Sequence, residues 1–428
     1  MALPCVRKFL QLFFTSDPLS KLNVEVRSKS MAFPVTIRMI VLVTVASLST
    51  GIAVGQNTRL LITNNDHSDV GTQANSATVY TIGSGGSLTQ AATVPTGGIG
   101  WDGIGTAITR IVISRDAGGN CAYVGEYTNS NGTSQYVVTS ISLSAKKVIG
   151  QFPGSATDLT NSSSDIGLTV YGQYLYANFT AQQTVGTYQR EAGCQLNFLG
   201  DISASGLSGG TVMEMVARRN ILVASFTDGS IGSFNTASGI PVPNGDLQYS
   251  TDHIQNGGSP EGIDATADGH FVIFGDGGGP ATARAEVSDI STGHLTPTVV
   301  YSGLGSGETA INVRLSPDES LLYLSEFSAG KVSAAFFDKT TGTLTFGCES
   351  PVLRGYQSKW VGTYALRTAT TAGSGGVVYV AEPDTYVGAV NVTSNGATCS
   401  LSEAAFSPVI DHNTITMESI DVFPPRRF

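Results

Sequence analysis

The chain repeats one short pattern about every 50 residues, and this repeat restricts its fold more than any other feature. The clearest copy is VRLSPDESLLYLSE at residues 313–326, and a second is IDATADGHFVIFGD at residues 263–276. A third copy begins at residue 111 and resumes at residue 122 after a short Gly/Asn insertion. Each copy is an apolar strand, a polar turn and a second apolar strand, which predicts a β-hairpin. Several strands in a unit of about 40–50 residues are typical of a propeller blade.

Weaker copies complete a set of seven units. The second strand of the hairpin recurs near residues 60, 122, 174, 221, 272, 322 and 378, and a third and a fourth strand follow it. The first unit lacks a first strand ahead of residue 59, whereas the chain ends with an apolar strand at residues 419–423. We therefore predict an all-β, seven-bladed β-propeller with four antiparallel strands per blade. The C-terminal strand joins the first blade and closes the ring, which leaves no unpaired edge.

The first 55 residues do not fit the repeat. Residues 31–55 contain Arg38, then an apolar run, then Ala-Val-Gly before Gln56. A basic start, an apolar middle and a small-residue end predict a secretory signal peptide, with an uncleaved membrane anchor as the alternative. We interpret residues 1–30 as an upstream extension from a wrongly assigned start, with Met31 as the true start. Residues 56–428 then form a single propeller domain that is secreted, periplasmic or on the cell surface, without a membrane span after cleavage.

Net charge limits the classes of partner, and the cysteine count predicts disulfides. The chain has a net charge of −10, and the first 55 residues carry six basic but only two acidic groups, so the exported chain would be more acidic still. Such a protein repels phosphate backbones, which excludes nucleic acid as the expected partner. Four cysteines remain after residue 55, an even number that favours disulfides in an exported protein. Three pairings are possible. We favour Cys348 with Cys399, because both lie in or beside fourth strands of neighbouring blades, and this leaves Cys121 with Cys194.

The repeat resembles the seven-bladed propellers of the 6-phosphogluconolactonase-like lactonase family and their relatives with Tyr-Val-Thr-Asn repeats. The resemblance covers residues 59–425 and is best at Leu-Ser-Pro-Asp (residues 315–318) and Leu-Tyr-Leu-Ser-Glu (residues 322–326). It implies a ligand site in the funnel on one face of the central channel. Lactonase-like members often carry Arg-His just ahead of an innermost strand. This chain contains no Arg-His pair and has Gly-Glu-Thr-Ala (residues 307–310) and Ser-Pro-Glu-Gly (residues 259–262) at that place.

Acidic residues recur on one face of the predicted ring. In a propeller, the loops that enter the innermost strands and the ends of the second strands lie on the same face. The acids expected there, as candidate ligand-binding residues, are Asp66, Asp102, Glu126, Asp165, Glu214, Glu261, Asp276, Glu308, Glu326, Glu382 and Glu418. Converging carboxylates can bind Ca²⁺ or another divalent cation, or a polyhydroxylated or cationic ligand. The alternative is a solvated acidic rim, and we assign no metal or other cofactor.

Three histidines and two tryptophans are also predicted to lie on this face. His67, His253 and His412 fall in its loops, and ring closure is expected to bring His67 close to His412. A histidine beside a carboxylate can act as a general base. His67, His412, Glu261 and Glu308 are therefore the catalytic candidates if the protein is an enzyme. Trp101 and Trp360 also lie in loops that enter blades on this face and suit stacking against a sugar or a lactone. His270 and His294 fall in hairpin turns of the opposite face.

Two classes of function fit these features. The first is an exported, non-catalytic propeller that binds a small polar ligand or a partner protein on its acidic face. The second is a lactonase-like hydrolase that uses carboxylates and histidine at the channel mouth. Because the Arg-His pair is missing and no compact catalytic motif replaces it, the sequence favours the first class.

Overall fold

The structure is a computed structural model, and the chain divides into the units 1–56 and 57–428. Only residues of the second unit are described. The described residues are 59–66, 75–99, 109–116, 119–130, 133–154, 166–180, 183–204, 207–208, 210–249, 260–276, 282–307, 310–359, 366–370, 375–382, 385–411, 417 and 419–423. The predicted signal peptide and upstream extension lie outside them. No helix in these ranges is long and apolar enough to cross a membrane.

Seven antiparallel sheets, each built around a core of four strands, confirm the predicted propeller. The strands of blades 1 to 4, numbered in chain order, are β1 Leu60–Asn65, β2 Ser76–Ile82, β3 Leu88–Pro95, β4 Ile111–Asp116, β5 Gly119–Ser130, β6 Thr133–Ser142, β7 Lys147–Pro153, β8 Leu168–Tyr171, β9 Tyr174–Phe179, β10 Thr184–Arg190, β11 Leu196–Ser203, β12 Val212–Arg218, β13 Ile221–Phe226, β14 Ser230–Asn235 and β15 Val242–Tyr249.

The remaining blades follow the same plan. Their strands are β16 Pro260–Ala265, β17 Phe271–Asp276, β18 Ala285–Asp289, β19 Val299–Tyr301, β20 Ala310–Leu315, β21 Leu321–Glu326, β22 Lys331–Asp338, β23 Thr343–Glu349, β24 Leu366–Thr370, β25 Gly375–Glu382, β26 Tyr386–Ser394, β27 Cys399–Glu403, β28 Val409–Ile410 and β29 Ile420–Phe423. The short β28 pairs with β26 at the edge of blade 7. One short helix, α1 (Arg354–Lys359), lies between blades 6 and 7 in the described chain.

The C-terminal strand closes the ring as predicted. Strand β29 is the innermost strand of blade 1, and its Cα partners on β1 run from Leu60↔Phe423 to Thr63↔Ile420. Directly ahead of β29, the Ser419 hydroxyl accepts hydrogen bonds from the amides of Arg110 and Ile111 in blade 2 (3.0 and 3.1 Å). The innermost strands of adjacent blades are thus linked across the seam between the two chain ends.

The hydrophobic core lies between the blades. The second strands β1, β13, β17 and β21 are buried along their whole length, because each of their faces packs against a neighbouring blade. The buried apolar residues form one cluster at each seam of the ring; the cluster between blades 5 and 6, for example, contains Ile273, Val313 and Leu324. Such packing on both faces explains why these second strands begin with consecutive apolar residues rather than an alternating pattern.

Two disulfides link neighbouring blades. Cys121 on β5 pairs with Cys194 in blade 3, and Cys348 on β23 pairs with Cys399 on β27, with Cα–Cα distances of 5.5 and 5.7 Å. This is the pairing that the sequence favoured among three. Each bond joins two consecutive blades, so it resists separation of the blades at that seam.

Candidate functional site on the upper face

We call upper face the end of the ring where the innermost strands begin and the second strands end, and lower face the opposite end. The described acids at the ends of the second strands are almost completely buried: Asp66, Glu126, Asp276, Glu326 and Glu382 are each at most 2% exposed. The alternative of a solvated acidic rim is therefore wrong for these five residues. Their position in the blade is as predicted, but their side chains turn into the protein.

Glu126, at the upper end of the second strand of blade 2, is held by hydroxyl groups. Thr96 and Thr139 both donate to its carboxylate, the latter at 2.6 Å. Gly98 lies so close that a Cβ at that position would come within 2.5 Å of Oε2. Burial raises the pKa of Glu126 to about 7, although the two hydroxyl donors act to lower it. Since Thr96 and Gly98 precede blade 2, the carboxylate anchors the segment that leads from blade 1 into blade 2.

Glu326 anchors the segment that leads from blade 5 into blade 6 in the same way. The amide of Gly307 donates to its carboxylate, and Gly305 also packs against it. Burial raises its pKa to about 7, and the nearby carboxylate of Glu349 adds to the increase. Glu349 is itself bonded to Lys331 at 2.7 Å, which together with Ser306 outweighs partial burial and lowers the pKa of Glu349.

Glu382 is the corresponding residue of blade 7. It is fully buried, and a Cβ on Gly355 or Gly388 would collide with its carboxylate. Neither carboxylate oxygen has a hydrogen bond of ordinary geometry, although the amide of Tyr356 lies near enough to lower the pKa slightly. Burial, followed by the nearby charge of Glu403, raises the pKa of Glu382 to about 8.

In all three blades a second-strand glutamate is covered by the loop that arrives from the preceding blade. The loop contributes a glycine where the carboxylate sits, because any larger residue would occupy the same space. These carboxylates therefore hold the loops of the upper face in place and do not line an open surface.

Two other acids of the group are neutralised by arginine. Asp66 bonds to Arg110 (2.8 Å), with added donors from Asn64 (2.6 Å) and Asn75 (3.1 Å). Asp276 bonds to Arg284 at 3.2 Å, and all four charged residues are buried. The sequence prediction missed both arginines. The available signal was their place directly ahead of strands β4 and β18, on the same face as the acids.

The channel itself contains a polar cluster from three blades. Thr109, just ahead of β4, donates its amide to the carboxylate of Glu214 on β12. Arg314 on β20 donates Nη2 to the hydroxyl of Thr109 (3.0 Å) and Nη1 to the carbonyl of Ile263. Glu214 is 1% exposed and Arg314 is half-buried. We call Thr109, Glu214 and Arg314 the channel cluster; of these, only Glu214 was predicted from sequence.

Three consecutive innermost strands have an irregularity beside this cluster. The register shifts between Val212 and Met215 on β12, between Pro260 and Ile263 on β16, and between Ala310 and Asn312 on β20. Such β-bulges redirect side chains and occur often beside functional sites. Here one of them turns Glu214 towards Thr109 of blade 2.

Several predicted site residues cannot be placed. His67, Trp101, Asp102, Asp165, His253, Glu308, Trp360, His412 and Glu418 lie outside the described residues, and Glu261 lies on β16 without a described side chain. The expected approach of His67 to His412 stays a prediction. Within the described ranges, no three His, Cys, Asp or Glu side chains are arranged to hold a metal ion.

The lower face has a different chemistry. His270 contacts Asp289 at 3.2 Å, and His294 contacts Asp246 at 2.9 Å, both in turns of this face as predicted. Asp268, Asp318 and Asp338 lie in the same kind of turn, where they accept hydrogen bonds from backbone amides and hydroxyls two residues away. These are local turn contacts.

Comparison with known proteins supports the fold and goes no further. No family model matches the chain, and no curated protein matches its sequence. Among solved structures it is similar to two proteins provisionally assigned as 6-phosphogluconolactonases. The one from Bacteroides fragilis has a TM-score of 0.59 at 13% identity, covering 86% of this chain and 98% of that one. The one from Bacteroides uniformis has a TM-score of 0.61 at 12% identity, covering 86% and 100%.

A periplasmic gluconolactonase from Pseudomonas aeruginosa is a more distant match, with a TM-score of 0.50 at 16% identity over 68% of this chain and 82% of that one. At such identities the likeness concerns the fold alone. It confirms the resemblance to lactonase-like propellers that the repeat indicated.

Proposed function

We propose that this protein is an exported propeller that binds a small polar ligand at the mouth of its channel on the upper face. The observation that carries the proposal is the channel cluster. Thr109, Glu214 and Arg314 come from blades 2, 4 and 6 and meet within hydrogen-bonding distance. A few convergent polar groups in a mostly apolar surround are typical of small-molecule sites.

The cluster suits a ligand that both donates and accepts hydrogen bonds. A carboxylate such as Glu214 accepts from hydroxyl groups, whereas a guanidinium such as Arg314 donates to a carbonyl or carboxylate. Arg314 is half-buried, so it retains access to the channel. The predicted residues Trp101 and Trp360 would add aromatic faces for a sugar-like ring. A hydroxylated acid or its lactone meets these requirements.

A thermal-shift screen of sugars, aldonic acids and lactones tests the proposal. We expect at least one compound class to raise the melting temperature, and its affinity to fall at least tenfold in Arg314→Met and Glu214→Gln. Asp318→Asn, an exposed change on the lower face, is the matched control and should bind normally. If no class raises the melting temperature, or if all variants respond alike, the site is not at the channel cluster. Capture of a protein partner by the same face would instead support the partner-binding alternative.

Lactone hydrolysis is the second candidate. It is favoured by the fold shared with the gluconolactonases named above, and the absence of an Arg-His pair speaks against it. An assay of lactone hydrolysis decides between a binding protein and a lactonase. The acid released from a panel of lactones is measured by titration, with and without EDTA. Turnover that His412→Ala or Glu308→Gln abolishes would establish the enzyme, and loss of turnover with EDTA would add a metal.

Export is part of the proposal and is supported by the two disulfides, since such bonds persist in oxidising compartments. Thiol titration of the denatured, unreduced protein should find no free thiol among Cys121, Cys194, Cys348 and Cys399. Four free thiols in protein isolated from its native compartment would indicate a reducing environment.

A further inference from the structure

We propose that Glu326 and Glu382, each paired with a second carboxylate, form a proton-operated clasp that closes the upper face of blades 6 and 7 in mildly acidic conditions and loosens it in alkaline ones. The claim that this clasp regulates ligand binding rests on the proposed function. The pH-dependent closure of the loops does not depend on any ligand.

The first observation is the repeated arrangement of carboxylates. Glu326 ends β21 and lies beside Glu349, which ends β23. One blade later, Glu382 ends β25 and lies beside Glu403, which ends β27. In each pair the inner glutamate is fully buried and the outer one is only partly buried.

The second observation is the set of charges around each pair. Lys331 on β22 bonds to Glu349 at 2.7 Å, and Arg354 on α1 bonds to Glu403 at 3.1 Å. Each cation thus neutralises the outer carboxylate, and none of the ion pairs of the described chain includes Glu326 or Glu382. A buried carboxyl group without a cation favours its neutral form.

The third observation is what each inner glutamate covers. Glu326 sits against Gly305 and Gly307, just before β20, the strand that carries Arg314 of the channel cluster. Glu382 sits against Gly355 at the start of α1. The turn that follows Glu326 links the two loops, because its Ala329 packs against Gly307 and the hydroxyl of Tyr356 on α1 donates to its Ser328 carbonyl at 2.7 Å.

Proton linkage gives the direction of the effect. With the pKa raised to about 7 for Glu326 and about 8 for Glu382, the closed loops hold protons that the opened, hydrated glutamates release. Closure is therefore strongest below the ordinary glutamate pKa of about 4.3. The stability of the closed loops declines as pH rises through the raised pKa values and is constant above them.

Amide hydrogen exchange of the full chain tests the clasp without a ligand. We expect protection at residues 305–307 and 353–356, corrected for intrinsic exchange, to fall at least tenfold between pH 5.5 and pH 8.5. The double variant Glu326→Gln/Glu382→Gln should keep its protection at pH 8.5, because glutamine imitates the protonated acid. Lower-face turns 266–270 and 316–320 are the internal control and should not change.

Equal protection at both pH values in the natural protein would overturn the clasp. The clasp would also be refuted if protection in the double variant depended on pH as it does in the natural protein. If the double variant does not fold, the single variant Glu382→Gln takes its place in this comparison. Failure of the ligand screen leaves this exchange result intact, so the two proposals can fail separately. If both hold, ligand affinity should weaken with rising pH in the natural protein and not in the double variant.

Discussion

The upper and lower faces of the ring both present acidic residues at equivalent places in successive blades, yet these residues behave in opposite ways. On the upper face, Glu126, Glu326 and Glu382 are buried and their pKa values rise to about 7, 7 and 8. On the lower face, Asp318 and Asp338 are exposed, and their pKa values are lowered. For Asp338 the amide of Thr340 is the main cause. For Asp318 the hydroxyl and amide donors of Ser316 and Ser320 outweigh partial burial.

The difference shows that a recurring acid in a propeller repeat can serve two purposes. A lower-face aspartate is satisfied by its own turn, so its role is local and its charge is stabilising. An upper-face glutamate lies where two loops and two blades meet, so its role depends on chain segments that are distant in sequence. The four predictions below test this contrast, beginning with the largest expected effect.

The contrast presupposes a closed ring, and deletion of β29 opens it. A chain that ends at Thr416 loses the innermost strand of blade 1 and the contacts of Ser419 to Arg110 and Ile111. We expect loss of cooperative thermal unfolding, or aggregation through the bared edge of β1. A chain that ends at Phe423 is the control and should melt as the full-length protein does. Normal melting of the shorter chain would show that the closure is dispensable.

Charge pairs should differ strongly between the faces. Arg110→Met leaves the buried carboxylate of Asp66 without its cation, which typically costs about 3–5 kcal/mol. His294→Ala removes an exposed lower-face contact to Asp246, for which a loss below about 1 kcal/mol is expected. Urea unfolding of both variants measures the two values. Similar losses would refute the distinction between the faces.

The pH dependence of stability should follow the upper-face glutamates. Because their pKa values are raised on folding, their stabilisation is greatest below about pH 4.3 and declines as pH rises through about 7 to 8. We expect a higher melting temperature at pH 5 than at pH 8.5. Glu382→Gln should raise the melting temperature at pH 8.5 and change it little at pH 5. A variant that melts like the natural protein at both pH values would contradict the raised pKa.

The smallest effect is expected on the lower face. Asp318→Asn weakens the hydrogen bonds to Ser316 and Ser320 in an exposed turn, with an expected loss of about 0.5–1 kcal/mol at neutral pH. A lowered pKa contributes stability above the ordinary aspartate value, and this contribution disappears as pH falls through the lowered one. The variant should therefore approach the natural protein in stability as pH falls through the lowered pKa of Asp318. A gap that instead widens in acid would contradict this sign.

Much of the fold could be predicted from the sequence because its signals are local. Alternation of apolar residues and turn residues such as Asp268-Gly269 mark each hairpin, and the terminal strand has only one blade to complete. The disulfides follow from the same reasoning, since Cys348 and Cys399 occupy related strands of neighbouring blades.

The site was harder to predict. Glu214 was placed on the correct face, but the rest of the channel cluster was missed. Its partner Thr109 lies in another blade, and Arg314, which bonds to Thr109, is 205 residues away from Thr109 in the chain. The arginines that neutralise Asp66 and Asp276 were also missed, since a single basic residue ahead of a strand does not reveal which acid it meets.

The sequence by itself determined the period, the seven blades, the closing strand and the face on which the acids lie. The period, the blade count and the face depend on residues within one hairpin, where backbone geometry fixes which side chains point the same way. The closing strand follows from the count, because the first blade lacks one strand and the chain ends with one left over. Only the tertiary structure decided which acids are buried, which are neutralised by arginine and which retain a proton near neutral pH. The physical reason is that the pKa of a carboxyl group depends on the water it loses and the charges it meets. For Glu326 those are set by Gly307 and Glu349, which the packing of the loops and strands brings together.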